Sequence, residues 1–331
     1  MNIRLDRMKD NYSIKHLYKM KKIFFVFEHK HPSIDDYSSA VVYWYGILDK
    51  MGYEVVYENY SNYNPSEFYN KVREEKPYMI IFTNYFKSIH TEFARLRDIT
   101  KLYLLQGDMH RFYDEHVKLW IPFVDGIINF EGTKEWCLRD GLPKSGFLKM
   151  RWGFNPNTMC YSQNDKRRNI VFYGGLHGNR LDIISRISKH FSVDVVPPEA
   201  TYEQVKHVLS ESRFSLNLSM NAPNTRRELK GRVIEIPAHC ILVSEPAPEL
   251  ETYYQEDEYI LFTSVEELVD KIKSYTDTEL DALFKRGNRA LWTRNTAYHE
   301  WNKILPFMDS DYKIVDIDRL IKENHSEFIY G

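Results

Sequence analysis

The sequence predicts an α/β protein made of two doubly wound domains, each with a parallel sheet that helices cover on both faces. Two observations support this prediction. Apolar runs of strand length alternate with helical segments from Ile23 onward, and the alternation starts again after a polar, turn-rich stretch at residues 149–168. Unbroken apolar strands between amphipathic helices are typical of parallel sheets buried on both faces. The chain has 331 residues, 43% of them hydrophobic, which is enough for two such domains.

In the first half, apolar runs and helical spacing alternate in a regular order. The predicted strands are residues 23–29, 53–59, 78–84, 101–107 and 124–130. The predicted helices are residues 37–52, 65–75, 91–100 and 132–141, and Gly52 suits the C-cap of the first of them.

The second half repeats this order. The predicted strands are residues 169–175, 192–198, 214–220 and 241–246, and the predicted helices are residues 179–191, 201–212, 232–240 and 265–275. The tail at 302–324 predicts a helix, an interruption at Pro306 and a second helical stretch. Two such halves would place a ligand between the carboxyl ends of their sheets.

Composition excludes several classes of protein. A formal net charge of −2 gives no global basic field for nucleic acid. Cys137, Cys160 and Cys240 are far apart and lack metal-site spacing, which indicates neither a disulfide framework nor a zinc site. No apolar run is long enough to span a bilayer. We therefore expect a cytoplasmic protein without a transmembrane segment.

Residues 1–21 form a basic extension ahead of the first strand. Residues 1–22 contain seven Lys or Arg against two Asp. Such an arm could bind an anionic acceptor, but we favour a solvated extension.

The stretch VFYGGLHGNR, residues 171–180, has the composition of a phosphate-binding turn. Its strand ends in Gly174 and Gly175, and Arg180 stands where a helix begins. Glycines allow close backbone approach, and a helix N-terminus with a guanidinium suits a diphosphate. A simple tight turn is the alternative.

Arg232 and Glu235 stand three residues apart at the start of a predicted helix. On one helix face, both could reach outward over the end of the sheet. A carboxylate can accept both hydroxyls of a ribose, and an arginine can bind phosphate oxygens. A surface ion pair would explain the same spacing.

Asp108 directly follows the predicted strand at residues 101–107, at the sheet edge where ligands bind. An aspartate there can act as a general base. It could also be the N-cap of the next segment, and His110 could share the site or merely flank it.

These pieces resemble, in order and character, a glycosyltransferase of GT-B fold, in which two Rossmann-like domains face each other across a cleft. The phrase RWGFNPNTM resembles the interdomain linker of that fold. The segment from Arg232 to residue 272 resembles CgeB-like glycosyltransferases, and the Tyr-Gly-Gly, Arg-x-x-Glu and aspartate features resemble phage DNA β-glucosyltransferase. The resemblance covers residues 22–305.

The resemblance implies a role for each matched residue. Glu235 would bind the ribose and Arg232 a phosphate. Asp108 would be the base of an inverting transfer. The diphosphate cradle would consist of Gly174, Gly175 and Arg180. Further candidates at the site are His177, Arg227, Glu249 and His110.

Two departures from the family patterns are visible. His177 stands where a second arginine is expected after the glycine pair. The paired glutamates of retaining relatives are missing, because Arg227 lies eight residues before Glu235 and the nearest glutamate is Glu228. The second departure favours inversion.

The resemblance therefore implies a hexosyl- or pentosyltransferase that uses a nucleotide-sugar, with UDP favoured, and needs no metal or other cofactor. Its acceptor would be a glycan, a small molecule or a protein. One alternative is a phage-type enzyme that glycosylates hydroxymethylated DNA bases, and another is a non-catalytic nucleotide-sugar-binding module. The implied domains are 22–155 for the acceptor and 156–306 for the nucleotide-sugar, with a C-terminal helix at 307–331 that rejoins the first domain.

Overall fold

A computed structural model describes residues 20–27, 43–83, 95–106, 113–130, 134–159, 167–221 and 224–329. By internal contacts the chain divides into two compact units. Within the described residues, the first unit holds 20–27 and 48–149, and the second holds 43–47 and 150–329. Each unit contains one parallel sheet, which confirms the predicted α/β class.

The first unit contains a six-stranded sheet in the order β2-β1-β3-β4-β5-β6, with every pairing parallel. The strands are β1 (Lys22–Phe27), β2 (Glu54–Asn59), β3 (Met79–Thr83), β4 (Lys101–Gln106), β5 (Gly126–Asn129) and β6 (Phe147–Lys149). The helices are α1 (Ile47–Lys50, of which Ile47 groups with the second unit), α2 (Pro65–Glu75), α3 (Lys118–Trp120) and α4 (Lys134–Arg139). The central strands β3 and β4 are almost entirely buried, as their apolar sequences predict.

The second unit contains a five-stranded sheet in the order β11-β10-β9-β7-β8, again with parallel pairings. The strands are β7 (Arg167–Tyr173), β8 (Val193–Val196), β9 (Ser212–Asn217), β10 (Ile241–Ser244) and β11 (Ile260–Leu261). The helices are α5 (Pro156–Met159), α6 (Arg180–Ile187), α7 (Tyr202–Glu211), α8 (Arg232–Glu235), α9 (Val265–Ser274), α10 (Asp277–Arg294), α11 (Ala297–Met308) and α12 (Ile317–Ile329).

Local sequence explains where the best-predicted helix begins and ends. Helix α2 covers the predicted residues 65–75, with Pro65 in its first turn. Asn64 caps it by accepting from the backbone N–H of Glu67, whose side chain accepts from the backbone N–H of Asn64 in return. This reciprocal arrangement satisfies two donors that have no partner inside the helix.

Two predictions in the first half need correction where the structure describes them. Of the predicted helix 37–52 the structure describes residues 43–52, where the α-helix begins at Ile47 and ends at Lys50, after a turn in which Gly46 adopts a left-handed φ of 74°. The predicted helix 91–100 is a short 3₁₀ helix at Arg95–Asp98.

In the second half the observed helices differ from the predicted ones at two prolines and over residues 277–294. The predicted helix 232–240 is α8 followed by a 3₁₀ turn at Ile236–Ala238 that contains Pro237. Helix α11 continues through Pro306 to Met308, so the predicted interruption at Pro306 is corrected. Helix α10 was not predicted.

By internal contacts the C-terminal helix α12 groups with the second unit. Its His325 lies 3.1 Å from the Tyr298 hydroxyl of α11 and packs on Trp292 of α10. The linker is also fixed on this unit, since Arg151 donates two side-chain hydrogen bonds to the buried Glu300.

Candidate functional site

The candidate site lies at the carboxyl end of β7, where a glycine turn leads into α6. Gly174 has a φ of 111° and Gly178 a φ of 60°, which are left-handed values that glycine adopts without steric cost. A Cβ on Gly174 would lie 2.8 Å from Nη1 of Arg232. The turn therefore needs glycine for its conformation and for the approach of Arg232.

Arg180, the first residue of α6, points inward and is only 2% exposed. Nη1 donates to the Gly175 carbonyl at 2.8 Å, and Nη2 donates to the Leu218 carbonyl at 3.2 Å and the Met220 carbonyl at 2.8 Å. Burial, together with repulsion from Arg232, lowers the pKa of Arg180 to about 10. This arginine ties the glycine turn to the segment that follows β9.

Arg232 is the second buried guanidinium of the site, at 6% exposure. Its Nη1 donates to the Tyr173 carbonyl at 2.5 Å, and Nη2 donates to the Leu218 carbonyl at 3.3 Å. The same Leu218 carbonyl therefore accepts from both arginines. The expectation that Arg232 reaches outward is corrected, because the strand ends supply acceptors that draw it inward.

Glu235 is 1% exposed, and tyrosine hydroxyls bind both of its carboxylate oxygens. Tyr173 donates to Oε2 at 2.6 Å, and Tyr43 donates to Oε1. Tyr173 thus holds both members of the predicted pair, since its carbonyl accepts from Arg232 and its hydroxyl donates to Glu235. The outward direction expected for Glu235 is corrected as well, because the two tyrosine hydroxyls donate to its carboxylate in a buried place.

His177 lies in the glycine turn, with Nε2 2.9 Å from Nη1 of Arg180. Burial, and the positive charges of Arg180 and Lys230, lower the pKa of His177 below its usual value. The charges around this turn already disfavour a further cation, so the turn is suited to an anion.

Lys230 donates to Oε2 of Glu228, and Arg226 donates to Oε1 of the same carboxylate at 2.9 Å. Burial is the largest single influence on Glu228 and opposes its ionisation, but the hydrogen bonds and positive charges of Lys230 and Arg226 together outweigh burial and lower the pKa of Glu228. The side chain of Lys230 is 26% exposed, so this cation is more accessible than the two buried arginines.

Arg227 lies beside the segment that Arg180 binds, because its partner Ser219 stands between Leu218 and Met220. Its Nη1 donates to Ser219 Oγ at 2.8 Å and lies 3.5 Å from Oε2 of Glu245, and its side chain is 39% exposed. Glu245 is buried and accepts from the backbone N–H of Ser219 at 3.0 Å. Glu249 is exposed with a φ of 62°, and it caps a 3₁₀ turn at Leu250–Thr252.

Asp108 and His110 lie outside the described residues, so the proposed base stays a prediction from sequence. The strand that precedes them is confirmed, since β4 ends at Gln106.

Sequence reasoning did not identify Tyr43 and Tyr173, which bind Glu235, or Glu245, which binds the backbone of Ser219. The chain has 24 tyrosines, and no local pattern marks Tyr43 or Tyr173 among them. The signal that could have found Tyr173 is its place as the last residue before the glycine pair, where its carbonyl and its ring both face the end of the sheet.

Within the described residues, no group of three or more His, Cys, Asp or Glu could hold a metal ion. In the same part of the chain, no helix is long and apolar enough to cross a membrane.

Comparisons with known proteins found a family model and solved structures that are similar to this chain. Residues 167–306 match the model of a family described as glycosyl transferase-like. This region includes the glycine turn, both buried arginines and Glu235. No curated protein matches the sequence.

Solved structures similar to this chain include glycosyltransferases of GT-B fold. An α-glucosyltransferase in complex with UDP-glucose and DNA containing an abasic site is 13% identical with a TM-score of 0.60, covering 88% of this chain and 100% of that one. A sucrose-phosphate synthase from Thermosynechococcus elongatus is 13% identical with a TM-score of 0.60, covering 88% of this chain and 98% of that one. HepE from Anabaena in complex with UDP-glucose is 11% identical with a TM-score of 0.58, covering 92% of this chain and 99% of that one.

At these identities the similarity establishes the fold. The chain has the GT-B fold, with a parallel sheet in each of two units. The resemblance to glycosyltransferases of this fold is confirmed.

Proposed function

We propose that the protein is a glycosyltransferase that moves a sugar from a nucleotide-diphosphate sugar, with UDP favoured, to a hydroxyl acceptor. One observation carries this proposal: a glycine turn at a strand end, surrounded by Arg180, Arg232 and Lys230, lies beside the carboxylate of Glu235. The cations suit a diphosphate and the carboxylate suits a ribose, so the site matches both polar parts of the donor.

The buried and the exposed cations have different proposed roles. Arg180 and Arg232 bind backbone carbonyls, so they shape the turn and add positive potential. Lys230 and Arg227 are more exposed, and they are the side chains we assign to direct phosphate contacts. Their attraction would stabilise the charge that develops on the leaving diphosphate.

For the chemical step we propose Asp108 as the base that takes the proton from the acceptor hydroxyl in an inverting transfer. The support is its place directly after β4, together with Arg227 standing where retaining relatives have a glutamate. We propose that neither a metal nor another cofactor is required. The anomeric configuration of the product, read from its proton coupling constant by NMR, tests inversion.

The acceptor class is proposed as a glycan, a small molecule or a protein, with the sugar a hexose or a pentose. DNA is a second candidate, because the α-glucosyltransferase of the same fold was solved with DNA. Arg95 and Arg97 are exposed on the first unit and could contribute to such a surface. A DNA acceptor predicts binding that weakens steeply as salt rises, and the other acceptors do not.

We propose a cytoplasmic location for the protein. The side chains of Cys137 and Cys240 are buried thiols, which fits a reducing compartment.

The experiment that tests the donor assignment is a thermal-shift panel of UDP, GDP, ADP, CMP and UDP-glucose, with and without EDTA. A nucleotide at 100 times its Kd should stabilise the fold by about 2.7 kcal/mol. A shift with one diphosphate nucleotide that EDTA does not change supports the proposal, and no shift with any of them contradicts it. Binding of UDP-glucose without hydrolysis or transfer would indicate a non-catalytic module.

A further inference from the structure

Two tyrosines cover the carboxylate of Glu235. Tyr43 donates to one carboxylate oxygen and Tyr173 to the other, and Glu235 is 1% exposed. A carboxylate has about four acceptor sites, so Glu235 can accept further hydrogen bonds. Because the group is buried, a ribose hydroxyl can reach it only if one of the two covering tyrosines moves.

The two tyrosines differ in how they are held. Tyr173 is the last residue of the central strand β7 and is 1% exposed, with its carbonyl bound to Arg232. Tyr43 is half-buried and precedes a turn at residues 44–46. Displacing Tyr173 would disturb the sheet end and Arg232 together, whereas Tyr43 can leave without breaking a strand.

The segment that carries Tyr43 is anchored on the linker. The ring of Tyr43 lies 5.0 Å from that of Trp152, and the Tyr45 carbonyl accepts from the side chains of Asn155 at 3.1 Å and Asn157 at 3.2 Å. Only its hydroxyl is directed to Glu235, and a Cβ on Gly231 would lie 2.7 Å from that hydroxyl. The glycine at position 231 therefore leaves room for the tyrosine.

We propose that Tyr43 is a gating residue, whose hydroxyl occupies the place on Glu235 that a ribose hydroxyl takes when the donor binds. This inference rests on the proposed function of the site. Donor binding then releases Tyr43 from Glu235. The apparent affinity for the nucleotide is lowered, because only the molecules in which Tyr43 has left the carboxylate can bind the ribose.

The test compares UDP with its 2′,3′-dideoxy form by isothermal titration on three proteins. Tyr43→Phe keeps the ring on Trp152 and removes the competing hydroxyl, so it should bind UDP about three- to tenfold more tightly than the wild type. The dideoxy nucleotide lacks the hydroxyls that Glu235 would accept from, so its affinity should change much less. Tyr57→Phe, which removes a tyrosine–carboxylate bond to Asp49 in the first unit, is the matched control and should change neither affinity.

Gly231→Ala gives a second route to the same result. Its methyl group would displace the Tyr43 hydroxyl while lying 3.4 Å from Oε1 of Glu235, an ordinary contact distance. Like Tyr43→Phe, Gly231→Ala should raise the affinity for UDP more than the affinity for the dideoxy form. This variant keeps the proposal testable if Tyr43→Phe folds poorly.

The outcomes separate this inference from the proposed function. Wild-type protein that binds no nucleotide overturns both. Wild-type protein that binds UDP while Tyr43→Phe binds it more weakly or equally overturns the gate alone, because Tyr43 would then belong to the bound state or play no part. Tighter binding of both nucleotides by the same factor also overturns it, since the effect would not involve the ribose hydroxyls.

Discussion

The buried and the exposed cations of the site differ in what they bind. Arg180 and Arg232 are almost fully buried, and their guanidinium groups donate to backbone carbonyls at the ends of strands. Arg227 and Lys230 are partly exposed, and their partners include the carboxylates of Glu245 and Glu228. The difference indicates that one pair maintains the shape of the turn while the other remains accessible to a ligand.

The largest effect should follow removal of Arg180. Arg180→Met leaves the carbonyls of Gly175 and Met220 without this donor in a buried place, so the free energy of unfolding should fall by about 3 kcal/mol or more. Arg227→Met should lower it by about 1 kcal/mol or less, because its charge is partly solvated. Urea denaturation of both variants measures the difference, and equal losses would refute the division into buried and exposed roles.

A smaller effect on stability is expected from the glycine turn. Gly174→Ala would force a side chain into a left-handed conformation and place its Cβ 2.8 Å from Arg232, so unfolding should become easier by about 2 kcal/mol. Gly175→Ala is the control, because its Cβ would meet only the His177 side chain, at 3.0 Å. Thermal unfolding that ranks Gly175→Ala as the more damaging change would contradict this account of the turn.

Lys230 should affect binding more than folding. Lys230→Met removes an accessible charge near His177, and we expect UDP affinity to fall about tenfold, as for a lost charge-assisted hydrogen bond. Arg226→Met is the matched control, since it removes the other cation bound to Glu228. Titration calorimetry should find the control near wild-type affinity, and a similar loss in both variants would mean that Glu228 itself controls binding.

The smallest effect is the pH dependence from His177. Burial and neighbouring cations lower its pKa below 6.5, so just below pH 6.5 the unfolded chain binds a proton that the folded protein does not. The contribution of His177 to the free energy of unfolding should therefore be fully present above pH 6.5. It should be lost as the pH falls from 6.5 through the lowered pKa of the folded protein. His177→Gln should show a shallower fall in melting temperature as the pH is lowered below 6.5, because the variant lacks the group with the lowered pKa.

Much of the fold could be predicted from the sequence, because its signals are local. Apolar runs predicted the buried strands β3 and β4, and Asn64 with Glu67 marks the start of α2. Helix α10 carries the same kind of signal in Thr276 and Glu279, a capping box that sequence reasoning overlooked.

The site could be predicted only in part, because its partners are distant along the chain. The glycine pair and the spacing of Arg232 and Glu235 are local, so both were identified. Tyr43 is 192 positions from Glu235, and the Leu218 carbonyl that both arginines share belongs to the backbone. No spacing rule predicts such contacts, which is why the charges were expected to point outward.

The most direct test of the central claim is isothermal titration of the wild type and Glu235→Ala with UDP. The account predicts that the wild type binds UDP and that Glu235→Ala binds it at least about tenfold more weakly, because the ribose loses its acceptor. Glu323→Ala, which removes an exposed carboxylate from α12, should bind like the wild type. Wild-type protein that does not bind UDP, or equal affinity in Glu235→Ala, would contradict the assignment of this site to a nucleotide-sugar.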